Sequence, residues 1–145
     1  MQDYPHRYKA AAQGSTEGVI DTGSPGLESI ATMPPAEFGG PGDKWSPETM
    51  LVGAVANCYI LTFRAVASNS KFDWNAMTVE VDGVLDRVER QTRFIEFHID
   101  VTLHLPSGAD AQKAHRLCER SEKACLVTGS LIGTKFLNVA IVHED

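Results

Sequence analysis

Hydrophobic residues form an almost unbroken run in the middle of the chain, over residues 50–63. The run follows Ser46, Pro47 and Glu48, a typical start of a helix: serine caps free amides, proline suits the first turn, and an acid complements the helix dipole. The pattern predicts a helix over residues 47–68. Because apolar residues lie on every side of it, we expect burial all round, in a large core or against a second subunit. A chain of 145 residues has little room for a long central helix, so we favour the second subunit.

Alternating polar and apolar positions predict a β-hairpin over residues 77–105, with its turn near Arg90. In the second strand one set of alternate positions is apolar and the other is mostly polar. This is the pattern of a sheet with one face in the core and the other in water. The apolar set is Ile95, Phe97, Ile99, Val101, Leu103 and Leu105.

The remaining elements complete a mixed fold. A second helix is predicted over residues 110–124 and a last strand over residues 135–143. Short β-like alternation marks residues 5–22, and the Gly- and Pro-rich residues 23–45 read as loop or edge strand. The inward stripe of the second helix is expected to be Ala114, Leu117, Cys118, Ser121 and Cys125. Together these elements predict a single α+β domain over residues 1–145.

Charge and composition exclude several classes of function. The net charge is −6 and the isoelectric point about 5.3, which argues against a nucleic-acid partner. The first residues lack the apolar core of a signal peptide, and the apolar run is shorter than the roughly 20 residues of a membrane span. We therefore expect a cytoplasmic protein without a membrane partner.

The three cysteines are the strongest candidates for chemistry. Cys58 and Cys125 lie 67 positions apart, each in or beside an apolar stretch. In a reducing compartment, two such thiols indicate redox chemistry more than a structural disulfide. The simpler alternative is that they are small buried hydrophobes. Cys118 lies on nearly the same face as Cys125 and is expected to pack in the core, with a role as a spare partner thiol as the alternative.

A reactive thiol in an apolar helix needs a cationic or hydrogen-bonding group beside it, because apolar surroundings disfavour the thiolate. Arg87 and Arg93 fall in the apolar phases of their strands, where a charge must find a partner unless it lies at an exposed edge near the turn. Glu48 precedes Cys58 by ten residues, about 15 Å along a helix, so it could serve only a Cys58 on another subunit. Its simpler role is to complement the helix dipole.

No motif indicates a cofactor or a metal. The chain lacks CxxC and HxxxH spacings, and it has no GxGxxG, phosphate-binding loop or GxSxG sequence. We expect neither a cofactor nor a bound metal.

The segment FGGPGDKWSPETMLVGAVANCYILTFRAVA, together with EKACLVTGSL, resembles the OsmC/Ohr family of osmotically inducible and organic hydroperoxide resistance proteins. The resemblance covers nearly the whole chain. It implies an intertwined α+β homodimer with antiparallel sheets and two central helices at the interface. It also implies thiol-dependent peroxidase activity with a preference for organic hydroperoxides, reset by an external dithiol.

The resemblance assigns roles to individual residues. Cys58 matches the peroxidatic cysteine, Cys125 the resolving cysteine and Glu48 the glutamate of an active-site ion pair. The hydroperoxide-resistance branch carries its arginine in an N-terminal loop, whereas the corresponding AAQGSTEGVID has none. We expect Arg93 to replace it, with Arg87 as the alternative.

The sequence therefore predicts a two-cysteine peroxidase that passes through a Cys58 sulfenate and a Cys58–Cys125 disulfide in defence against oxidative stress. Apolar walls would favour an apolar peroxide, and we expect them from Met50, Leu51, Tyr59, Phe63 and either Phe38 or Trp45. The alternative is a redox-inert dimer that binds an apolar small molecule at the subunit interface.

Overall fold

The structure, a computed structural model, describes residues 1–145 in two compact units, Met1–Leu51 and Val52–Asp145. The first unit contains a small antiparallel sheet in the order β1-β2-β3. Its strands are β1 (Ala11–Gln13), β2 (Ile20–Gly23) and β3 (Ile30–Thr32), followed by a 3-10 turn at Ala36–Phe38. The segment 23–45, expected to be loop or edge strand, thus contains the short strand β3.

Helix α1 (Pro47–Asn69) has nearly the predicted bounds. The Oγ of Ser46 accepts a hydrogen bond of 3.1 Å from the amide of Thr49, and the Oγ1 of Thr49 accepts one of 2.9 Å from the amide of Ser46. These reciprocal bonds satisfy two amides that a helix start leaves free. The predicted serine cap is confirmed.

A second sheet dominates the other unit, in the order β4-β5-β6. Strands β4 (Ala76–Val88) and β5 (Gln91–Pro106) form the predicted hairpin, and β6 (Thr134–Glu144) pairs with β5 in parallel. Glu89 and Arg90 turn the hairpin with φ angles of 51° and 68°, as a tight two-residue turn requires. Helices α2 (Ala111–Ala124) and α3 (Leu126–Gly129) form the crossover that a parallel pair needs.

The core of this unit lies between one face of the sheet and the two longer helices. Helix α1 contributes Val55, Tyr59, Phe63 and Ala67, which are four residues apart and fully buried. They pack with the inner face of β5, whose buried residues are Phe97, Ile99, Val101, Leu103 and Leu105. The inward stripe predicted for α2 is also buried.

The close approach of α1 to the sheet depends on Gly83. A side chain there would place its Cβ 2.7 Å from the Cγ2 of Val52 and 2.9 Å from the ring of Phe94. Non-bonded contacts this short are essentially never found in proteins, so a larger residue would force Val52 or Phe94 to shift.

A β-bulge interrupts the hairpin. Val84 pairs with Glu96 but Leu85 pairs with Phe94, which leaves Ile95 as the extra residue of β5. Because side chains alternate across a sheet, the extra residue shifts all earlier positions of β5 to the opposite face. Phe94 consequently stacks on Phe97, with ring centroids 5.5 Å apart.

Other elements of this chain cover helix α1 on one side only. Leu61 is 53% exposed, and Ala54 and Ala65 are also exposed. By length and composition α1 could cross a membrane, but its buried stripe of Val55, Tyr59, Phe63 and Ala67 packs against the sheet. The burial expected on its other sides is not provided by this chain.

Candidate functional site

The structure brings Cys58 and Cys125 together. Cys58 lies half-buried on α1, and Cys125 lies between α2 and α3 with 1% of its surface exposed. The two thiols are near enough in the fold for Cys58 to lower the pKa of the Cys125 thiol. Both are free thiols.

The local environment favours a thiolate at Cys125. Burial raises the pKa of its thiol, but hydrogen bonds from the side chain and amide of Thr128, from Cys58 and from the amide of Val127 outweigh burial and lower the pKa below its ordinary value. Cys125 is the residue that precedes the first turn of α3, where backbone amides are not used by the helix itself.

Sequence reasoning did not assign a role to Thr128. It is buried, and its hydroxyl donates a 3.1 Å hydrogen bond to the carbonyl of Cys125 in addition to its effect on the thiol. The spacing Cys-x-x-Thr could have indicated it, because a residue at the start of a helix and the third residue after it commonly exchange hydrogen bonds.

Cys58 has a hydroxyl neighbour on its own helix. Thr62 lies one turn later, and its Oγ1 is 3.8 Å from the Sγ of Cys58. The same hydroxyl donates a 2.8 Å bond to the carbonyl of Cys58. Thr62 therefore gives the half-buried sulfur a polar neighbour within the apolar helix.

Cys118 is set apart from this pair. It is fully buried in α2, and burial raises the pKa of its thiol to about 11, although a hydrogen bond from Tyr59 opposes the change. At neutral pH this thiol is almost entirely protonated, which agrees with the expected packing role.

Tyr59 and Phe63 do not form walls of an open binding site. Both are fully buried against the sheet, where Phe63 meets Trp74 edge to face with ring centroids 5.3 Å apart. The expectation that they line a peroxide pocket is therefore wrong, since the stripe they share faces the core.

Glu48 lies in the first turn of α1, as predicted. Its Oε2 is buried and has no hydrogen-bond partner in the chain. Burial of a carboxylate oxygen without a hydrogen-bond partner is energetically unfavourable. A hydrogen-bond donor or a cation from outside the chain would satisfy it.

The two arginines lie on opposite faces of the hairpin. Because of the bulge, Arg93 pairs with Asp86 on the face of the sheet opposite to Phe97. The prediction that Arg93 lies on the inner face is therefore wrong. Arg87, paired with Thr92, keeps the inner phase but is exposed near the turn. The close contacts between basic side chains and carboxylates join His98 to Glu96 and His104 to Glu144, and neither contains an arginine.

Comparisons with known proteins agree with this fold. A family model described as OsmC-like protein matches residues 40–138. Protein YmaD of Bacillus subtilis (strain 168), itself uncharacterized, is 30% identical over 138 residues, which cover 92% of this chain and 90% of that protein.

Two solved structures share the fold at low sequence identity. An OsmC-like protein of unknown function from Vibrio cholerae has a TM-score of 0.83 and 14% identity, over 94% of this chain and all of the other (100%). An organic hydroperoxide resistance protein from Elizabethkingia anophelis has a TM-score of 0.79 and 16% identity, over 99% of this chain and 100% of that one. The family match spans most of the chain, and the chain belongs to the OsmC-like protein family.

Proposed function

We propose that the protein is a cysteine-based peroxidase that reduces organic hydroperoxides, with Cys58 as the attacking thiol and Cys125 as the resolving thiol. One observation carries the proposal: thiols 67 positions apart in the sequence are near enough in the fold for Cys58 to lower the pKa of the Cys125 thiol. Membership of the OsmC-like family supports it, as does the fold shared with a protein named for organic hydroperoxide resistance.

Exposure and pKa support this division of roles. Cys58 is half-buried and reachable, whereas Cys125 is 1% exposed, so a peroxide meets Cys58 first. The lowered pKa of Cys125 suits the second step, which needs a thiolate beside the oxidised sulfur.

The reaction has two chemical steps on the protein. The Cys58 thiolate attacks the terminal oxygen of ROOH, the O–O bond breaks, and the alkoxide takes a proton and leaves as ROH while Cys58 becomes a sulfenic acid. The Cys125 thiolate then attacks the Cys58 sulfur, an S–S bond forms, and the hydroxide released takes a proton to become water. An external dithiol reduces the disulfide by two exchange reactions and leaves oxidised.

A second subunit completes the site in this proposal. The unpartnered Oε2 of Glu48 and the uncovered side of α1 around Leu61 both support a homodimer. A hairpin arginine, Arg87 or Arg93, would approach Cys58 and be oriented by the partner subunit's Glu48. Such a pair would offset the unfavourable burial of the carboxylate and favour the thiolate.

The compartment follows from the chemistry. A pair of thiols that cycles through a disulfide needs a reducing environment to return to its starting state, as the cytoplasm provides. We propose defence against oxidative stress there as the biological role.

Thiol titration after one equivalent of cumene hydroperoxide tests the proposal. The wild-type protein should lose both Cys58 and Cys125 as free thiols within seconds and retain Cys118. A protein that keeps all three thiols would instead be a redox-inert dimer, and binding of apolar small molecules at the interface would then be the function to examine.

A further inference from the structure

A buried hydrogen bond links the two helices that carry the thiols. The hydroxyl of Tyr59 donates to the carbonyl oxygen of Cys118 over 2.8 Å, and both residues are fully buried. Tyr59 directly follows Cys58 on α1. Cys118 lies on α2, whose C-terminal cap is Cys125. The bond thus links the element bearing one thiol to the element bearing the other.

This bond is not needed to complete either helix. The carbonyl of Cys118 lies inside α2, where the helix supplies its own hydrogen-bond donors. A phenylalanine at position 59 would fill the same space without placing a polar atom in the core. A buried tyrosine hydroxyl has to find a partner, and here the partner is on the other helix.

The hydroxyl remains a donor over the whole range in which the thiols titrate. Burial raises the pKa of Tyr59 far above its ordinary value, and negative charge at Cys118, Glu122 or Cys125 acts in the same direction.

We propose that Tyr59 is a positioning residue, which holds α1 against α2 so that Cys58 and Cys125 face each other for disulfide closure. The biological meaning of this role rests on the proposed function. The geometry itself can be tested without a peroxide, because closure can be driven by oxidised dithiothreitol. In that exchange the two protein thiols lose two electrons and two protons and form an S–S bond, while the disulfide of the reagent becomes two thiols.

The equilibrium constant of this exchange measures how well the thiols are placed. Tyr59→Phe removes one oxygen and keeps the ring, and we expect the constant for the Cys58–Cys125 disulfide to fall about tenfold, which corresponds to about 30 mV. Disulfides are identified by peptide mapping, and the far-ultraviolet spectrum and thermal unfolding confirm that the variant is folded.

Ser121→Ala is the matched control. Ser121 is also fully buried on α2, but its hydroxyl donates over 2.7 Å to the carbonyl of Leu117 in the same helix. The control loses a buried hydroxyl and no link between helices, so its equilibrium constant should stay near that of the wild type.

Three results would overturn the positioning role: a wild-type constant in Tyr59→Phe, an equal fall in Ser121→Ala, or no Cys58–Cys125 disulfide in the wild type under these conditions. If the constant falls only in Tyr59→Phe but cumene hydroperoxide consumes no thiol, the positioning role stands and the proposed peroxidase function fails.

Discussion

Thr128 stabilises the thiolate of Cys125, the residue three positions before it. Its hydroxyl and its backbone amide both lower the pKa of the Cys125 thiol, against the effect of burial. The same hydroxyl donates to the carbonyl of Cys125 over 3.1 Å. Two of the groups that lower the pKa of Cys125, Thr128 and Val127, therefore belong to one short turn of chain, α3, and the third is Cys58 on α1.

Replacing Thr128 by valine should raise the pKa of Cys125. Thr128→Val keeps the shape of the side chain and removes the hydroxyl, so the midpoint of the pH–rate curve for Cys125 alkylation should move to higher pH. Ser130→Ala is the control, since Ser130 is an exposed hydroxyl in the same turn that bonds to Leu126. An unchanged midpoint in Thr128→Val would show that the hydroxyl does not act on the thiolate.

The same shift predicts how stability depends on pH. The pKa of Cys125 is lower in the folded protein than in the unfolded chain, so the thiolate adds stability above the unfolded value of about 8.5. This contribution is lost as the pH falls through the folded pKa. Urea unfolding between neutral pH and about pH 9 should therefore show a gain in stability for the wild type that is smaller in Thr128→Val.

Cys118 should take no part in turnover. Its thiol should be alkylated only in strongly alkaline solution, with a midpoint near pH 11. Cys118→Ala should cost about 1 kcal/mol of stability through lost packing. Peroxide consumption measured with excess dithiothreitol should stay near the wild-type rate. A Cys118–Cys125 disulfide in the oxidised wild-type protein would contradict this assignment.

One hairpin arginine should influence the reactivity of Cys58. Since α1 packs on the inner face of the sheet, the corrected register makes Arg87 the better placed of the two, and Arg93 becomes the comparison. Arg87→Met should move the pH–rate curve for Cys58 alkylation to higher pH because a cation favours a thiolate. If neither arginine variant moves the curve, activation by the hairpin is refuted.

The uncovered side of α1 predicts an obligate homodimer. Leu61→Asp should dissociate or unfold the protein, because a carboxylate would replace an apolar side chain in an interface that we expect to exceed about 2,000 Å². Arg116→Asp, on the exposed face of α2, is the control. Sedimentation of the wild type as a well-folded monomer at micromolar concentration would contradict the prediction.

Much of the local structure could be predicted from the sequence. The bounds of α1 and α2, the hairpin and its turn at Arg90 follow from capping residues and periodicity, which act over a few positions. The sequence carries a trace of the bulge at Ile95, because Phe94 and Ile95 are consecutive apolar residues and Arg93 breaks the apolar phase. Only the pairing with β4 identifies the extra residue.

The candidate site was predictable only in part. The two thiols were expected to meet because the chain resembles a family, whereas nothing in their spacing requires it. Two features involve contacts between elements distant in sequence, which composition and periodicity do not report: the link from Tyr59 to Cys118 and the parallel pairing of β6 with β5.

Single-turnover oxidation of the two cysteine variants tests the central claim most directly. One equivalent of cumene hydroperoxide should convert Cys58 of the Cys125→Ser variant to a sulfenic acid that dimedone traps, with release of one equivalent of alcohol. The Cys58→Ser variant should consume no peroxide on this timescale. The account would be contradicted if Cys58→Ser reduced the peroxide at the wild-type rate, or if dimedone labelled no cysteine in Cys125→Ser.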